Sequence, residues 1–397
     1  MLCLAMGTVL QVVEKRLGMQ LLEVLIEETG KRERAISIAH EEYSIGEKLI
    51  MNTTAVRLQL GTGGYHLVVG KAEQMTEQDL MPTSWGHVMK MRYSPWQLAI
   101  DAVEEQASPH HDLFVRHDLS LEGTPVVISE LHSLLPATVL TLKQNDPQAK
   151  IVYVMPDGAS LPISLSGHVH QLQKAGFLAA TITTGHAWGG DYEAVTIHSG
   201  LLAARHVENA DIIICMLGPG VAGTGTPYAF SGIQLAEVIH AVSALGGFPL
   251  LIPRISFADP RRRHYGISHH TTAILSRFTL RPVVLSMPQV GNQYDTILEQ
   301  QMVALQKLDK HVIIRGMVAN RSRIASMEKE YGSAFTTMGR SWQEDPVPFQ
   351  TAVLAADQLS GWRVDLAKAF SDDPHCFSSL DTLAGLDLFW TRNGEQP

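Results

Sequence analysis

The sequence predicts an α/β protein with a three-layer, mostly parallel sheet of the Rossmann-like kind, preceded by a small antiparallel β-barrel. Residues 6 to 70 are short apolar or alternating runs separated by glycine-containing turns, which is typical of a barrel. From Thr124 onward, strands that are apolar on both faces alternate with helical segments, which indicates a parallel sheet covered on both sides. The 397 residues, 45% of them hydrophobic, exceed what one small core needs.

The first 70 residues are predicted to form the barrel, of SH3- or OB-like size. Its strands are expected within "TVLQVVEK", "ERAISIAH", "GEKLIMNTT" and "YHLVV". Residues 71–123 then read as a connector containing one helix, "SPWQLAIDAVEEQAS". Trp96, Ile100 and Val103 recur there at helical spacing, and Pro95 suits a first helical turn.

Residues 124–365 are predicted to form the α/β domain that carries the site, and residues 366–397 a less patterned C-terminal extension. Strands are expected at "PVVISEL", "KIVYVMPDG", "AATITTG", "ADIIICMLG", "PLLIPRIS", "RPVVLSMP" and "HVIIRGMV". The segments "IQLAEVIHAVSAL" and "YDTILEQQMVALQKL" are predicted helices between them.

The net charge and the cysteine content indicate which partners and which compartment to expect. Lys and Arg number 31 against 40 Asp and Glu, so the net charge of -9 disfavours nucleic acid and anionic membrane surfaces as partners. Cys3, Cys215 and Cys376 are isolated, which favours a reducing cytoplasm. We therefore expect a cytoplasmic protein, and a homodimer on general grounds.

Ionisable residues follow the predicted strands one after another, and the carboxyl ends of parallel strands share one edge of a sheet. Glu130 follows the first strand, Asp157 the second, and His186 and Asp191 the third. Each is suited to act as an acid, a base or a metal ligand, with a turn or cap residue as the plainer alternative. The possible divalent-metal set is Glu130, Asp157, His186, Asp191 and His270.

The stretch "LGPGVAGTGTPYAFSG" after the fourth strand predicts a loop that holds an anion. Glycines expose backbone amides, and threonine hydroxyls add donors; the residues concerned are Gly218, Gly220, Gly223, Thr224, Gly225 and Thr226. A flexible lid or a tight turn is the alternative. The letters match G-x-G-x-x-G, but Pro227 delays the helix that should begin inside the motif, so NAD is not expected.

The segment "RISFADPRRRHYGISHH" follows the fifth strand and contains four arginines and three histidines but no lysine. Guanidinium groups suit bidentate recognition of phosphate or carboxylate. We predict a wall that binds an anion through Arg254, Arg261, Arg263 and the helix-capping Ser268. Acid–base catalysis is assigned to His186, Asp191, His264 and His269. A structural ion-pair loop and a partner surface are the alternatives.

Several long strings together resemble one family. They are "NTTAVRLQLGTGGYHLV", "GHVMKMRYSP", "TTGHAWGGDYEAV", "GPGVAGTGT" and "RISFADPRRRHYGISHHT". They are similar to the uncharacterised bacterial family catalogued as domain of unknown function 3866. The resemblance implies a bacterial cytoplasmic protein and brings no activity, cofactor or catalytic residue.

Three functions remain open from the sequence. The first is an enzyme that transfers or hydrolyses a small anionic metabolite of phosphorylated, nucleotide-like or sugar-like type. The second is a metal-dependent hydrolase that uses the carboxylate and histidine residues. The third is a non-catalytic metabolite sensor or assembly protein with the barrel as its partner surface. The sequence contains no G-x-S-x-G, Walker or H-E-x-x-H motif that would name a reaction.

Overall fold

The computed structural model describes residues 3–38, 42–57, 59, 63–72, 85–92, 96–291 and 293–377. The chain divides into two compact units. One comprises Met1–Asp101 with Pro162–Gly167, and the other comprises Ala102–Leu161 with His168–Pro397. Among the described residues, no helix combines the length and the apolar character needed to cross a bilayer.

The first unit contains the predicted closed barrel, with five strands and one parallel pair among otherwise antiparallel ones. Its elements are β1 (Leu4–Arg16), β2 (Met19–Ile26), β3 (Arg32–Ser37), β4 (Lys48–Asn52), α1 (Thr54–Arg57) and β5 (Tyr65–Lys71). The strands close in the order β1-β2-β3-β5-β4, with β1 paired to β4. Alternate residues such as Leu22 and Val24 on β2, and Leu49 and Met51 on β4, fill the interior, as the period of two in a strand requires.

The helix predicted over "SPWQLAIDAVEEQAS" is wrong. The structure has an antiparallel pair here, β6 (Val88–Lys90) and β7 (Leu98–Ile100). Leu98 and Ile100 are both buried, which is the spacing of a strand rather than a helix. Asp101 then accepts hydrogen bonds from the backbone amides of Trp85 and Gly86. A short helix, α2 (His111–Phe114), follows a series of turns.

The second unit is built on an eight-stranded sheet whose strands are all parallel, as predicted. In chain order its strands are β8 (Pro125–Ser129), β9 (Ile151–Met155), β10 (Ala180–Thr184), β11 (Tyr192–Ala194), β12 (Ile212–Met216), β13 (Phe248–Ile252), β16 (Val284–Gln289) and β17 (Val312–Met317). A separate small hairpin, formed by β14 (Ile255–Ser256) and β15 (Gly266–Ile267), lies between β13 and β16 in the chain. The order across the sheet is β11-β10-β9-β12-β8-β13-β16-β17. Every residue of β8, β9, β10, β12 and β13 is buried, because helices cover both faces.

The covering helices are α3 (Leu135–Asn145), α4 (Gly167–Lys174), α5 (Ile197–His206), α6 (Gln234–Ala244), α7 (His269–Ala273), α8 (Gln293–Gln306), α9 (Arg321–Tyr331) and α10 (Pro346–Asp372). A π-helical turn, Ile274–Phe278, continues α7, and a hairpin of β18 (Thr336–Thr337) and β19 (Arg340–Ser341) precedes α10. Helices α3, α9 and α10 pack together, and α5 packs on α6. Helix α10 continues past residue 365, where the sequence pattern placed a boundary.

The order of the strands creates a crevice in the middle of the sheet. From β8 the chain moves to β9, β10 and β11 on one side, returns to β12, and then continues to β13, β16 and β17 on the other side. Neighbouring strands β8 and β13 therefore send their connections in opposite directions. Such a switch point opens a crevice beyond the carboxyl ends of the strands. Glu130 follows β8 and Arg254 follows β13, so both lie at this crevice.

Candidate metal centre

A buried ion pair joins the ends of β8 and β13. Arg254 Nη1 donates to Glu130 Oε1 at 2.9 Å, and the two side chains are 6% and 3% exposed. Burial raises the pKa of Glu130, but the hydrogen bond from His270 and the charge of Arg254 outweigh it, so the pKa lies below its ordinary value. Within the described parts of the chain, Glu130 Oε2 and Arg254 Nη2 are buried without a hydrogen-bond partner. Glu130 Oε2 is therefore available to accept a hydrogen bond, and Arg254 Nη2 is available to donate one.

Three histidines come together beside this ion pair. His264, His269 and His270 each offer a ring nitrogen, and these three atoms lie within 4.8 Å of one another. His264 ends a 3-10 turn between β14 and β15, whereas His269 and His270 begin α7. Antiparallel pairing of Ile255 with Ile267 folds the intervening segment back onto the start of the helix. The hairpin is therefore what brings His264 to the other two rings.

Hydrogen bonds on the outer ring nitrogens orient two of these histidines. The Nδ1 atom of His270 donates to Glu130 Oε1 at 2.6 Å, a direction set by the carboxylate, which can only accept. The Nδ1 atom of His264 lies 2.8 Å from the hydroxyl of Ser268. Metal-binding histidines usually engage a carboxylate or another polar group in this way. The Nε2 atoms of His264 and His270 are then the ones available to a metal.

The third histidine has an unused polar atom. Among the residues that the structure describes, none hydrogen-bonds the buried Nε2 of His269. Burial, followed by the charge of His270, lowers the pKa of His269. Burial and the charges of Arg254 and Arg261 lower the pKa of His264 to about 3. Both imidazoles are therefore neutral at pH 7, and the neutral form is the one that ligates metals.

The glycine-rich loop lies over His270. A Cβ atom on Gly223 would come within 3.6 Å of His270 Nε2, and the ring of Phe230, which pairs with Gly223 across the loop, stacks on His270 at 3.9 Å. The Thr224 amide donates to Ala229 O at 3.0 Å, and the hydroxyls of Thr224 and Thr226 bond each other at 2.9 Å. These threonine donors are used within the loop, so they do not form an anion cradle. Gly223 and Phe230 place the loop over His270.

The other predicted loop residues have distinct positions. Gly220 and Gly225 adopt positive φ values of 91° and 78°, which favour glycine. Gly218 packs against Leu161 and Met155. The exposed guanidinium of Arg263 lies 3.5 Å from the position of a Cβ on Gly225, and its charge also contributes to the lowered pKa of His269. Of the predicted anion-binding arginines, Arg254 and Arg263 therefore lie beside the histidines.

Arg261 is engaged elsewhere. Its Nε and Nη2 atoms donate to the two oxygens of Asp259 at 2.9 and 2.7 Å. The hydrogen bond from Arg261 holds the pKa of buried Asp259 well below its usual range. Arg340 Nη2 lies 3.6 Å from the same carboxylate. The structure thus gives Arg261 the role of a loop-stabilising ion pair, the alternative that the sequence left open.

Asp191 does not reach the histidines. Its carboxylate accepts hydrogen bonds from the Thr181 amide at 2.8 Å, the Thr181 hydroxyl at 2.9 Å and Gln173 Nε2 at 2.8 Å. Thr181 lies near the start of β10, and Asp191 immediately precedes β11, which runs parallel to β10. Asp191 therefore lies at the amino edge of the sheet, opposite the crevice, and its assignment to the site is corrected.

Asp157 and His186 lie at the correct edge but on more distant strands. Asp157 accepts hydrogen bonds from the backbone amides of Ser160 and His186, at 2.9 and 2.8 Å, so it organises its own loop. Asp157 follows β9 and His186 follows β10, and these strands lie two and three positions from β8 in the sheet. At about 4.8 Å per strand this is a separation of roughly 10 and 14 Å. Of the predicted metal set, the structure brings together Glu130 and His270 alone.

The grouping of His264 and His269 with His270 as one set of ligands was not predicted from the sequence. The available signal was the spacing H-x4-H-H in "HYGISHH". The role of Phe230, whose ring stacks on His270, was not predicted either. Neither could be assigned without knowing that β14 and β15 pair, since that pairing sets the position of His264.

The fold and this centre define a parallel α/β protein with a largely buried histidine cluster at its topological switch point. The sequence profile of the family described as "Protein of unknown function (DUF3866)" matches residues 34–356. The chain therefore belongs to this family, and the match includes every residue of the centre. Neither a curated protein nor a solved structure matches the chain.

Proposed function

We propose that the protein is a metal-dependent hydrolase that acts on a small anionic metabolite at the carboxyl edge of its parallel sheet. The observation that carries the proposal is the cluster of His264, His269 and His270, with ligand atoms within 4.8 Å of one another. The hydrogen bond from His270 Nδ1 to Glu130 also supports the proposal, because a metal-binding imidazole usually donates its other ring N–H to a carboxylate or another polar group.

The donor set favours a particular kind of metal. Imidazole nitrogens suit zinc, iron, nickel or copper, whereas magnesium and calcium prefer oxygen ligands. Three protein ligands leave a coordination position for water, as in catalytic zinc sites. A metal held by these imidazoles would act as a Lewis acid and would activate water for hydrolysis.

Two arginines are suited to hold the substrate anion beside this centre. Arg254 has a buried Nη2 atom for which the described residues provide no acceptor. Arg263 is exposed and lies against Gly225 in the loop that covers the histidines. In the proposed function they would bind the anionic group of the substrate and stabilise the negative charge that develops on it during hydrolysis. A substrate reaches the centre when the loop from Gly218 to Phe230 moves aside.

The proposal includes a cytoplasmic location. Cys3, Cys215 and Cys376 are all free thiols. A reducing compartment keeps thiols in this state.

Metal content tests the proposal directly. Protein purified without chelator, or reconstituted with zinc, iron, nickel or copper, is analysed by inductively coupled plasma mass spectrometry. We expect about one metal ion per chain, with retention lost in His264→Ala and His269→Ala because each removes one of three ligands. His198→Ala, which changes an exposed histidine on α5, is the matched control and keeps its metal.

Hydrolysis is tested on the metal-loaded protein with chromogenic phosphomonoesters, phosphodiesters and carboxylate esters. Turnover that requires metal and His269 supports the assignment. Folded protein that takes up no metal, or variants that keep as much metal as the wild type, would rule it out.

A further inference from the structure

A separate cavity of about 310 Å³ lies at the carboxyl ends of β16 and β17. Its wall is formed by residues that follow β14, β16 and β17 and by the first turn of α10. Its size is at the lower end of the range for small-molecule pockets, roughly 300 to 1,000 Å³. It therefore takes a ligand of about one ring with its polar groups, which excludes a dinucleotide.

Asp345 lies in the wall of this cavity and has one carboxylate oxygen without a hydrogen-bond donor among the described residues. The residue is 1% exposed. Its Oδ2 atom accepts hydrogen bonds from the Ser256 hydroxyl at 2.6 Å and from Arg340 Nε at 3.1 Å. Its Oδ1 atom is buried and finds no donor in the described ranges. Since buried polar atoms are almost always paired, Oδ1 is an acceptor for a donor that the described residues do not supply.

Arg321 gives the same cavity a cation that is free to bind an anion. It is exposed, and it begins α9 directly after the capping residue Asn320. In the part of the chain that the structure describes, no carboxylate lies within ion-pair distance of its guanidinium. Glu344 adds a second carboxylate to the wall beside Asp345. With two carboxylates and one guanidinium, the wall matches a ligand that carries both charges.

The rest of the wall is apolar and aromatic. The rings of Phe257 and Tyr294 stack at a centroid distance of 4.0 Å with an interplanar angle of 26°, and both line the cavity together with Val290 and Val347. Such a surface favours a flat or branched apolar group through burial and ring stacking.

We propose that this cavity binds a small zwitterion of the α-amino acid type with an apolar or aromatic side chain. Asp345, assisted by Glu344, receives the ammonium group, and Arg321 receives the carboxylate. The side chain packs against Tyr294 and Val347. This site is independent of the histidine centre and does not rest on the hydrolase proposal.

Isothermal titration calorimetry of the full chain with L-phenylalanine, L-tyrosine and L-leucine tests the proposal. We expect saturable binding. Removing either charge from the ligand should weaken binding by about tenfold or more, because each removes a charge-assisted hydrogen bond. The probes are 3-phenylpropanoate, which lacks the amine, and phenethylamine, which lacks the carboxylate.

Variants of the protein assign each charge to its residue. Arg321→Gln should weaken L-phenylalanine binding by about tenfold or more and leave phenethylamine binding unchanged. Lys329→Gln changes an exposed cation further along α9 and should have no effect. Asp345→Asn should weaken binding of the amino acid, and if this variant unfolds, the ligand analogues still test the ammonium contact.

Two results would overturn the inference. One is the absence of amino acid binding to the folded protein at about 10 mM, above the millimolar range of weak ligands. The other is equal binding by either analogue or by the Arg321→Gln variant. His269→Ala should bind the amino acid normally, so failure of the metal centre and failure of this site are distinguishable.

Discussion

Replacing Glu130 with leucine removes the carboxylate that pairs with Arg254 and holds His270. Arg254 is 6% exposed and cannot lose its charge by deprotonation, so the variant leaves a buried cation without a counter-ion. Breaking a buried pair from one side costs about 3–5 kcal/mol. We expect Glu130→Leu to lower the free energy of unfolding by this amount.

Replacing Arg254 with methionine should cost less. Glu130 keeps the hydrogen bond from His270, at 2.6 Å, so its carboxylate is not left without a donor. Loss of one charged hydrogen bond costs about 1–3 kcal/mol. The double variant Glu130→Leu/Arg254→Met removes both charges and replaces them with apolar groups. It should therefore be more stable than the sum of the single changes predicts, by at least about 1 kcal/mol.

Guanidinium unfolding followed by far-ultraviolet circular dichroism measures these differences. The described helices of eight or more residues belong almost entirely to the second unit, so the helical signal follows the unit that contains the pair. A chelator is included, because a bound metal would stabilise the wild type by mass action. A Glu130→Leu cost below about 1 kcal/mol, or strictly additive single changes, would refute the reasoning.

Three further outcomes are expected. Burial and the charge of His168 lower the pKa of His132 to about 3, whereas the pKa in the unfolded chain is near 6.5. Neutral His132 therefore contributes fully to the free energy of unfolding above pH 6.5, and this contribution falls by about 2 kcal/mol between pH 7 and pH 5. His132→Gln should flatten the pH dependence of guanidinium unfolding by that amount, and an unchanged slope would contradict this assignment. Arg261→Ala should cost about 1 kcal/mol through its partly exposed pair with Asp259, with metal content unchanged by mass spectrometry. Cys215 is buried, which raises its thiol pKa, so peptide mapping after iodoacetamide treatment of the folded protein should find it unmodified.

The main sheet was predictable because its strands are buried on both faces. A run such as Ile212–Met216 is apolar throughout, and such runs separated by helical segments leave few alternatives to a parallel sheet. The strand at Tyr192–Ala194 escaped prediction, since three residues carry no measurable period. The strand at Leu98–Ile100 was hidden by an apolar spacing that also fits a helix.

The candidate site was predictable only to the level of the sheet edge. Glu130 follows β8 directly and Arg254 lies two residues beyond β13, so the positions of both followed from the topology of the sheet. Asp191 could not be placed, because its loop returns to the amino edge to start β11. The choice between an anion-binding and an ion-paired Arg261 depends on a side-chain rotamer. Asp345 and Arg321 line one cavity although 24 positions separate them, and no local sequence pattern reveals this arrangement.

The stacking of Phe230 on His270 has a kinetic consequence. Phe230 also pairs with Gly223 and so closes the loop over the histidines. If opening of that pairing limits the exchange of a metal held by the three imidazoles, the rate of release would not depend on the affinity of the site. Release would then proceed at a rate set by the protein, and raising the concentration of a chelator would not accelerate it. A metal site covered by a loop and an exposed site of equal affinity would therefore differ in the rate at which the metal dissociates.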